Sequence, residues 1–137
     1  LFFQELLTNC NKIKIIDLNI HVYYAAVDNS VTNTVTSKFY EKYYKVEKER
    51  IKFLQKNDLF DLYINNKFQF YFTNWYLMKL ASIKKGEEEK ALRILYSIYQ
   101  IYEPYLKEQN DMLKTFRNYI NKEKYTDFVK ICRKVYK

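Results

Sequence analysis

The feature that most constrains this chain is its shortage of residues that break helices. Among 137 residues there is one glycine, Gly86, and one proline, Pro104. Sandwiches and barrels of β-strands need many tight turns, and those turns favour glycine and proline. The sequence therefore predicts an all-α fold, and its length fits a single domain over residues 1–137.

Both helix breakers lie in residues 75–104, where the pattern is that of two helices joined by a turn. Trp75 opens an apolar face on the first helix, and Gly86 permits the positive φ that ends it. The second helix repeats apolar residues at the steps of one helical face. We expect the methyl group of Ala91 to let the two helices lie close together beneath Trp75. Pro104 closes the unit and can begin the next helix, where a missing N–H costs little.

This stretch resembles a tetratricopeptide repeat. Trp75 lies eleven residues before Gly86 and sixteen before Ala91, with Leu95 four residues later and Pro104 at the end. The sequence departs from the family pattern at three positions, which are Lys79, Ser82 and Ile98. The resemblance implies antiparallel helical hairpins that bind a protein, although the same spacing loosely fits pentatricopeptide RNA-binding repeats.

A weaker copy of this hairpin follows it, with the turn at Glu123-Lys124 and Phe128 in the place of Ala91. The copy is 37 residues away, against about 34 for the family. We therefore expect antiparallel helical hairpins stacked as a short, irregular α-solenoid or bundle.

The rest of the chain follows the same alternation of helices and short turns. We predict helices at about residues 1–11, 37–56, 59–65, 69–84, 88–102, 104–121 and 125–136, with Asn57-Asp58 as a turn or cap before the third. Asn65-Asn66 is expected to break the third from the fourth, and residues 28–36 to form a loop. Residues 13–27 fit either a strand or a helix, and we favour the helix because a lone strand would have no partner. On the helix over 37–56, Glu47 and Arg50 are assigned to the polar face.

The net charge of +8 favours an acidic partner, such as nucleic acid, an anionic membrane surface or an acidic protein. An alternative explanation of the lysine content is base composition, since the codons of Lys, Asn, Ile, Tyr and Phe are all AT-rich.

Nothing in the sequence points to catalysis, a cofactor or a metal. One glycine cannot make a phosphate-binding loop, and His21 has no cysteine or carboxylate beside it at a recognisable spacing. Glu87–Glu89 fall in the first turn of a helix, where the helix dipole favours acidic residues. We therefore expect a protein that binds rather than an enzyme.

Cys10 and Cys132 are too few for a disulfide framework or a zinc site, and they fit a reducing compartment. Cys132 lies on an apolar helical face, so we expect it to be a buried small hydrophobe. The chain has no run of apolar residues long enough to span a membrane. Its first ten residues are apolar but acidic at Glu5 and without a basic residue, so we do not expect them to be a secretory signal. These features predict an intracellular, cytoplasmic protein.

Three functional hypotheses follow. The first is a protein-binding scaffold module that holds a peptide or helix of a partner. The tetratricopeptide resemblance places the partner on Tyr76, Leu80 and Ile83, and the charge of Lys84 would select an acidic partner. The second is an RNA-binding helical module that uses its aromatic and basic side chains, with Lys130, Arg133 and Lys134 as an anion-binding face. The third is an accessory domain of a larger protein, such as a peptide-sensing bacterial regulator.

Overall fold

A computed structural model describes residues 6–12, 14 and 35–136, and the fold of this part is all-α, as predicted. We name its helices α1 (Ser37–Lys56), α2 (residues 60–80), α3 (Glu88–Tyr102), α4 (Asp111–Asn121) and α5 (Tyr125–Tyr136). A 3-10 turn (Glu103–Tyr105) follows α3, and residues 6–8 form one helical turn. The one β contact in the described ranges is an isolated parallel bridge between Val35 and Ile83.

The first three helices pack against one another and run up, down and up. Helix α2 runs antiparallel to α1, as two contacts show. Near the start of α1, Tyr40 donates to the carbonyl of Tyr76 in the later part of α2. Near the end of α1, Arg50 contacts Tyr63 in the first part of α2. Helix α3 returns parallel to α1. At the start of both helices, the backbone N–H of Ser37 donates to Glu87 just before α3, at 2.6 Å. At the end of α3, the hydroxyl of Tyr102 donates to Glu47 in the later part of α1.

Helices α4 and α5 close the other side of α3. Arg117 of α4 pairs with Glu103 at 3.2 Å. Because Glu123, just after α4, pairs with Arg93 in the first half of α3, α4 runs antiparallel to α3. At the end of α5, Arg133 donates to the carbonyls of Ala81 and Ile83, which ties the last helix to the turn after α2.

Aromatic side chains are the largest members of the core between these helices. Edge-to-face and tilted ring pairs join α2, α3, α4 and α5, such as Phe72 with Tyr99 and Phe116 with Phe128. Such pairs add to the stability that burial of their area supplies. The largest fully buried side chains include Tyr40, Tyr76, Tyr99, Tyr102, Phe68, Phe72, Phe116 and Phe128.

The start of α1 is capped by a residue from a distant part of the chain. Thr36 stands at the N-cap without a capping side-chain bond. Instead, the Glu87 carboxylate accepts from the N–H of Ser37, and this bond holds the pKa of Glu87 below its usual value. A free N–H at a helix start needs such an acceptor. Thr36 therefore occupies the N-cap position, while the capping hydrogen bond comes from Glu87.

Helix α2 is continuous where a break was predicted. At Asn65-Asn66 the helix widens into a π-turn (Ile64–Phe68), and a second π-turn covers Phe72–Leu77. The amides of Asn65 and Asn66 donate to carbonyls four residues earlier, so they do not compete with the helix. Burial of Ile64 and Phe68 on either side fixes the helical path.

The turn after α2 is longer than predicted. Gly86 has the expected positive φ of 89°, but α2 already ends at Leu80 rather than near Lys84. Residues 81–84 run past Val35, whose carbonyl accepts from the N–H of Lys84 at 2.9 Å.

The chain after α3 also differs from its prediction. Pro104 lies in the 3-10 turn, and α4 begins only at Asp111. Asn110 caps α4 by accepting from the N–H of Leu113.

Several predictions lie wholly or partly outside the described residues. These are the choice between helix and strand at 13–27, most of the loop at 28–36, His21, and residues 1–5 of the first helix predicted at 1–11.

Candidate partner-binding groove

A groove of ≈ 540 Å³ lies between the parallel helices α1 and α3. Four lysines and one glutamate line it together with three less polar residues; the whole set is Lys38, Glu41, Lys42, Tyr44, Lys45, Lys90, Ile94 and Ser97. Because α1 and α3 run side by side in the same direction, the groove follows both axes, as a site for an extended or helical segment would.

The charge of the groove comes mainly from α1. Lys38, Lys42 and Lys45 are exposed and follow one another at i, i+4 and i+7, the spacing of one helical face. Across the groove, Lys90 of α3 pairs with Glu41 at 2.8 Å, and this hydrogen bond raises the pKa of Lys90. Glu41 is the only carboxylate among the lining residues, and its charge is balanced by Lys90. The three lysines of α1 therefore remain to attract an anionic ligand.

The floor of the groove is less polar than its rim. Tyr44 and Ile94 are half-buried there. The ammonium of Lys48 lies 4.4 Å from the ring centre of Tyr44, in the geometry of a cation–π contact, and extends the lysine row by one turn. The groove therefore offers both apolar area and positive charge.

The residues that the tetratricopeptide resemblance assigned to partner binding do not line an exposed surface. Tyr76, Leu80 and Ile83 are at most 3% exposed and belong to the core. Tyr40 and Tyr43 of α1 cover Tyr76, whereas Ile83 lies against Val35 and its carbonyl accepts from Arg133 of α5. Lys84 is exposed, but it stands apart from the groove.

The three cations assigned to an anion-binding face on α5 have different environments. Lys130 pairs with Asp127 at 2.9 Å, and Lys134 is exposed. Arg133 is half-buried and donates to two backbone carbonyls of the turn after α2. The three residues share one face of α5 by their spacing, but Arg133 is used by the fold and Lys130 is already paired with a carboxylate.

The residues to which the sequence analysis gave structural roles in the hairpin are only partly placed as predicted. Leu95 and Ala91 are fully buried, whereas Trp75 is half-buried beside Tyr71. Ala91 follows Glu87 by four residues and precedes Ile94 by three, and both of those side chains face α1. Helical geometry therefore places Ala91 toward α1, not beneath the indole of Trp75 as predicted.

The structure also contains a buried polar cluster, which we call the Glu47 cluster and define as Glu47, Arg50, Tyr63, Tyr76 and Tyr102. Glu47 is 1% exposed and accepts hydrogen bonds from Tyr76 at 2.5 Å, Tyr102 at 2.6 Å and Arg50 at 2.6 Å. The assignment of Glu47 and Arg50 to a solvated face of α1 was therefore wrong. A buried carboxylate is tolerable because each oxygen has a donor.

Electrostatics keep the tyrosines of this cluster neutral. Burial raises the pKa of Tyr76 and Tyr102, and the neighbouring Glu47 carboxylate raises both further. Burial acts to lower the pKa of Arg50, but Glu47 and the surrounding tyrosines raise it overall. The cluster thus holds one ion pair and neutral hydroxyl donors, which join α1 to both α2 and α3.

The described residues contain no group of three or more His, Cys, Asp or Glu side chains placed to hold a metal ion. Among them there is also no helix with the length and apolar character needed to cross a membrane. Cys132 is fully buried, as predicted, and burial raises the pKa of its thiol to about 12. No family model, curated protein or solved structure matches this chain.

Proposed function

We propose that this chain is a non-enzymatic protein-binding module that holds an acidic segment of a partner in the groove between α1 and α3. The observation that carries the proposal is the row of Lys38, Lys42 and Lys45 along one wall of a groove with an apolar floor. A helix with carboxylates at i, i+4 and i+7 matches this row, since both repeats follow the helical period.

The proposal keeps the helical hairpins of the tetratricopeptide resemblance but moves the binding surface. The resemblance points to α2, whose corresponding side chains Tyr76 and Leu80 are buried. The groove instead uses helices α1 and α3, which run side by side in the same direction.

An acidic protein segment is favoured over RNA because the groove exposes little aromatic surface. Binding of single-stranded nucleic acid relies on exposed rings on which bases stack. The groove has one aromatic lining residue, Tyr44, which is half-buried and already covered by Lys48. Positive charge alone attracts both kinds of partner, so the aromatic side chains decide between them.

The test measures binding of a fluorescent helical peptide with Glu at i, i+4 and i+7, and of the same peptide with Gln at those positions. We expect tighter binding of the Glu peptide, with affinity that falls as salt is added. The triple variant Lys38→Glu, Lys42→Glu, Lys45→Glu should lose at least about tenfold in affinity, because like charges then face each other.

The matched control reverses three exposed lysines outside the groove, Lys107, Lys122 and Lys134, for the same change in net charge. Equal losses in both triple variants would mean that only net charge matters, which contradicts the groove. If mixed single-stranded RNA binds the unaltered chain and the Glu peptide does not, the RNA hypothesis replaces this proposal.

A further inference from the structure

A second cleft, of ≈ 250 Å³, opens between the later part of α1 and the first half of α2. It shares no lining residue with the groove between α1 and α3. Its walls are Arg50, Leu54, Tyr63, Lys67, Phe70 and Tyr71.

The cleft is positively charged by one unit. Arg50 is neutralised by Glu47, which it meets at 2.6 Å. Lys67 is exposed, and among the described residues it has no ion pair. One surplus positive charge suits a ligand with a single negative charge.

The wall formed by Arg50 has an unused donor. The guanidinium gives Nη1 to Glu47 and to the hydroxyl of Tyr63, and it lies 5.1 Å from the ring centre of Tyr71. Its Nε is buried and has no hydrogen-bond partner. A buried N–H without an acceptor costs on the order of 1–3 kcal/mol, so such groups are rare in native proteins. Arg50 lines the cleft, so this incompletely bonded guanidinium forms part of its wall.

The other walls are apolar. Leu54 is buried, and Phe70 is 69% exposed, the largest exposure among the large hydrophobic side chains of the described residues. The two π-turns of α2, Ile64–Phe68 and Phe72–Leu77, lie on either side of Phe70 and Tyr71. Turns of this kind are rare and often mark functional sites.

We propose that this cleft binds a small monocarboxylate with a flat apolar body. The carboxylate lies between Arg50 and Lys67, and the body packs on Phe70 and Leu54. The cleft is smaller than the roughly 300–1,000 Å³ of most ligand pockets, which favours a small organic acid over a nucleotide. This site is independent of the groove and of any partner bound there.

The test titrates the whole chain with benzoate, and with benzamide as an uncharged match, while amide NMR shifts are recorded. Benzoate should shift the amides of the cleft residues and bind more tightly than benzamide. Lys67→Gln and Phe70→Ala should each weaken benzoate binding by at least about threefold. Both residues are exposed, so these variants are expected to keep the fold. Lys122→Gln, an exposed site in the turn before α5, is the control and should bind benzoate as the unaltered chain does.

Three outcomes would overturn the proposal. The first is equal binding of benzamide and benzoate, which would remove the role of charge. The second is an absence of shifts at the cleft amides, or shifts centred on the groove. The third is displacement by inorganic phosphate together with unchanged binding in Phe70→Ala, which would leave a plain anion site without the apolar contact.

Discussion

Replacement of Glu47 by Gln tests how far the buried cluster holds the bundle together. The change keeps the size of the side chain but removes its charge. Arg50, whose side chain is 15% exposed, then loses its counter-ion, and one of two hydroxyl donors, on Tyr76 or Tyr102, faces an amide NH₂ instead of an oxygen. Breaking a buried ion pair by removing one partner costs about 3–5 kcal/mol. A domain of this size has a total stability of roughly 5–15 kcal/mol.

The expected loss is therefore a large part of the free energy of unfolding. Urea unfolding followed by circular dichroism should show a decrease of about 3–5 kcal/mol, and the melting temperature should fall by on the order of 10–20 °C. Glu49→Gln is the control, because Glu49 forms an exposed pair with Lys52 at 2.8 Å and such pairs contribute about 0–1 kcal/mol.

A double-mutant cycle with Arg50→Met measures the coupling free energy between Glu47 and Arg50, separately from the other contacts of each residue. We expect the double variant to be more stable than the sum of the two single losses predicts, by about 1–3 kcal/mol, because no charge is then left unpaired. A loss in Glu47→Gln below about 1 kcal/mol, or additive losses, would refute the reasoning.

Three further predictions concern the core and its titration. With an alkylating reagent near neutral pH, Cys10 should react in the folded chain and Cys132 only on unfolding, since Cys132 is fully buried with its pKa raised to about 12; equal labelling rates would contradict this. Ala91→Leu should lower the free energy of unfolding by about 1–3 kcal/mol through overpacking, and an unchanged urea midpoint would place Ala91 outside a close contact. The raised pKa of Tyr76 and Tyr102 gives stability that is fully present below pH ~10, the ordinary tyrosine value, and is lost as the pH rises above it; phenolate absorbance from these tyrosines before any unfolding would contradict this.

The helices were the most predictable part of the fold. The bounds of α1, α3 and α5 follow from apolar periodicity, and the turns at Asp58 and Glu123 adopt positive φ where polar clusters predicted turns. These features depend on neighbouring residues, which the sequence shows directly.

Features set by distant residues were missed. Glu47 looks like part of a solvated face because its neighbours in sequence are charged, but the hydroxyls that satisfy it come from Tyr76 and Tyr102, on two other helices. For the same reason Tyr76 was assigned to an exposed surface, since the pattern of α2 does not show that α1 covers it.

The groove can be predicted from the sequence only in part. The lysines of its α1 wall lie at helical spacing on the polar face of α1, which the sequence shows. Their importance depends on Lys90 and Ile94 of α3, and only the parallel pairing of α1 with α3 brings these residues alongside.

The most direct test of the central claim, that the lysine row of α1 binds a complementary acidic segment, is a charge swap. The triple variant Lys38→Glu, Lys42→Glu, Lys45→Glu is titrated with a peptide that carries Lys in place of Glu at i, i+4 and i+7. The account predicts that the swapped pair binds with much of the affinity of the original pair, while both mixed pairs bind weakly. Equal weakness of the swapped and the mixed pairs would contradict it.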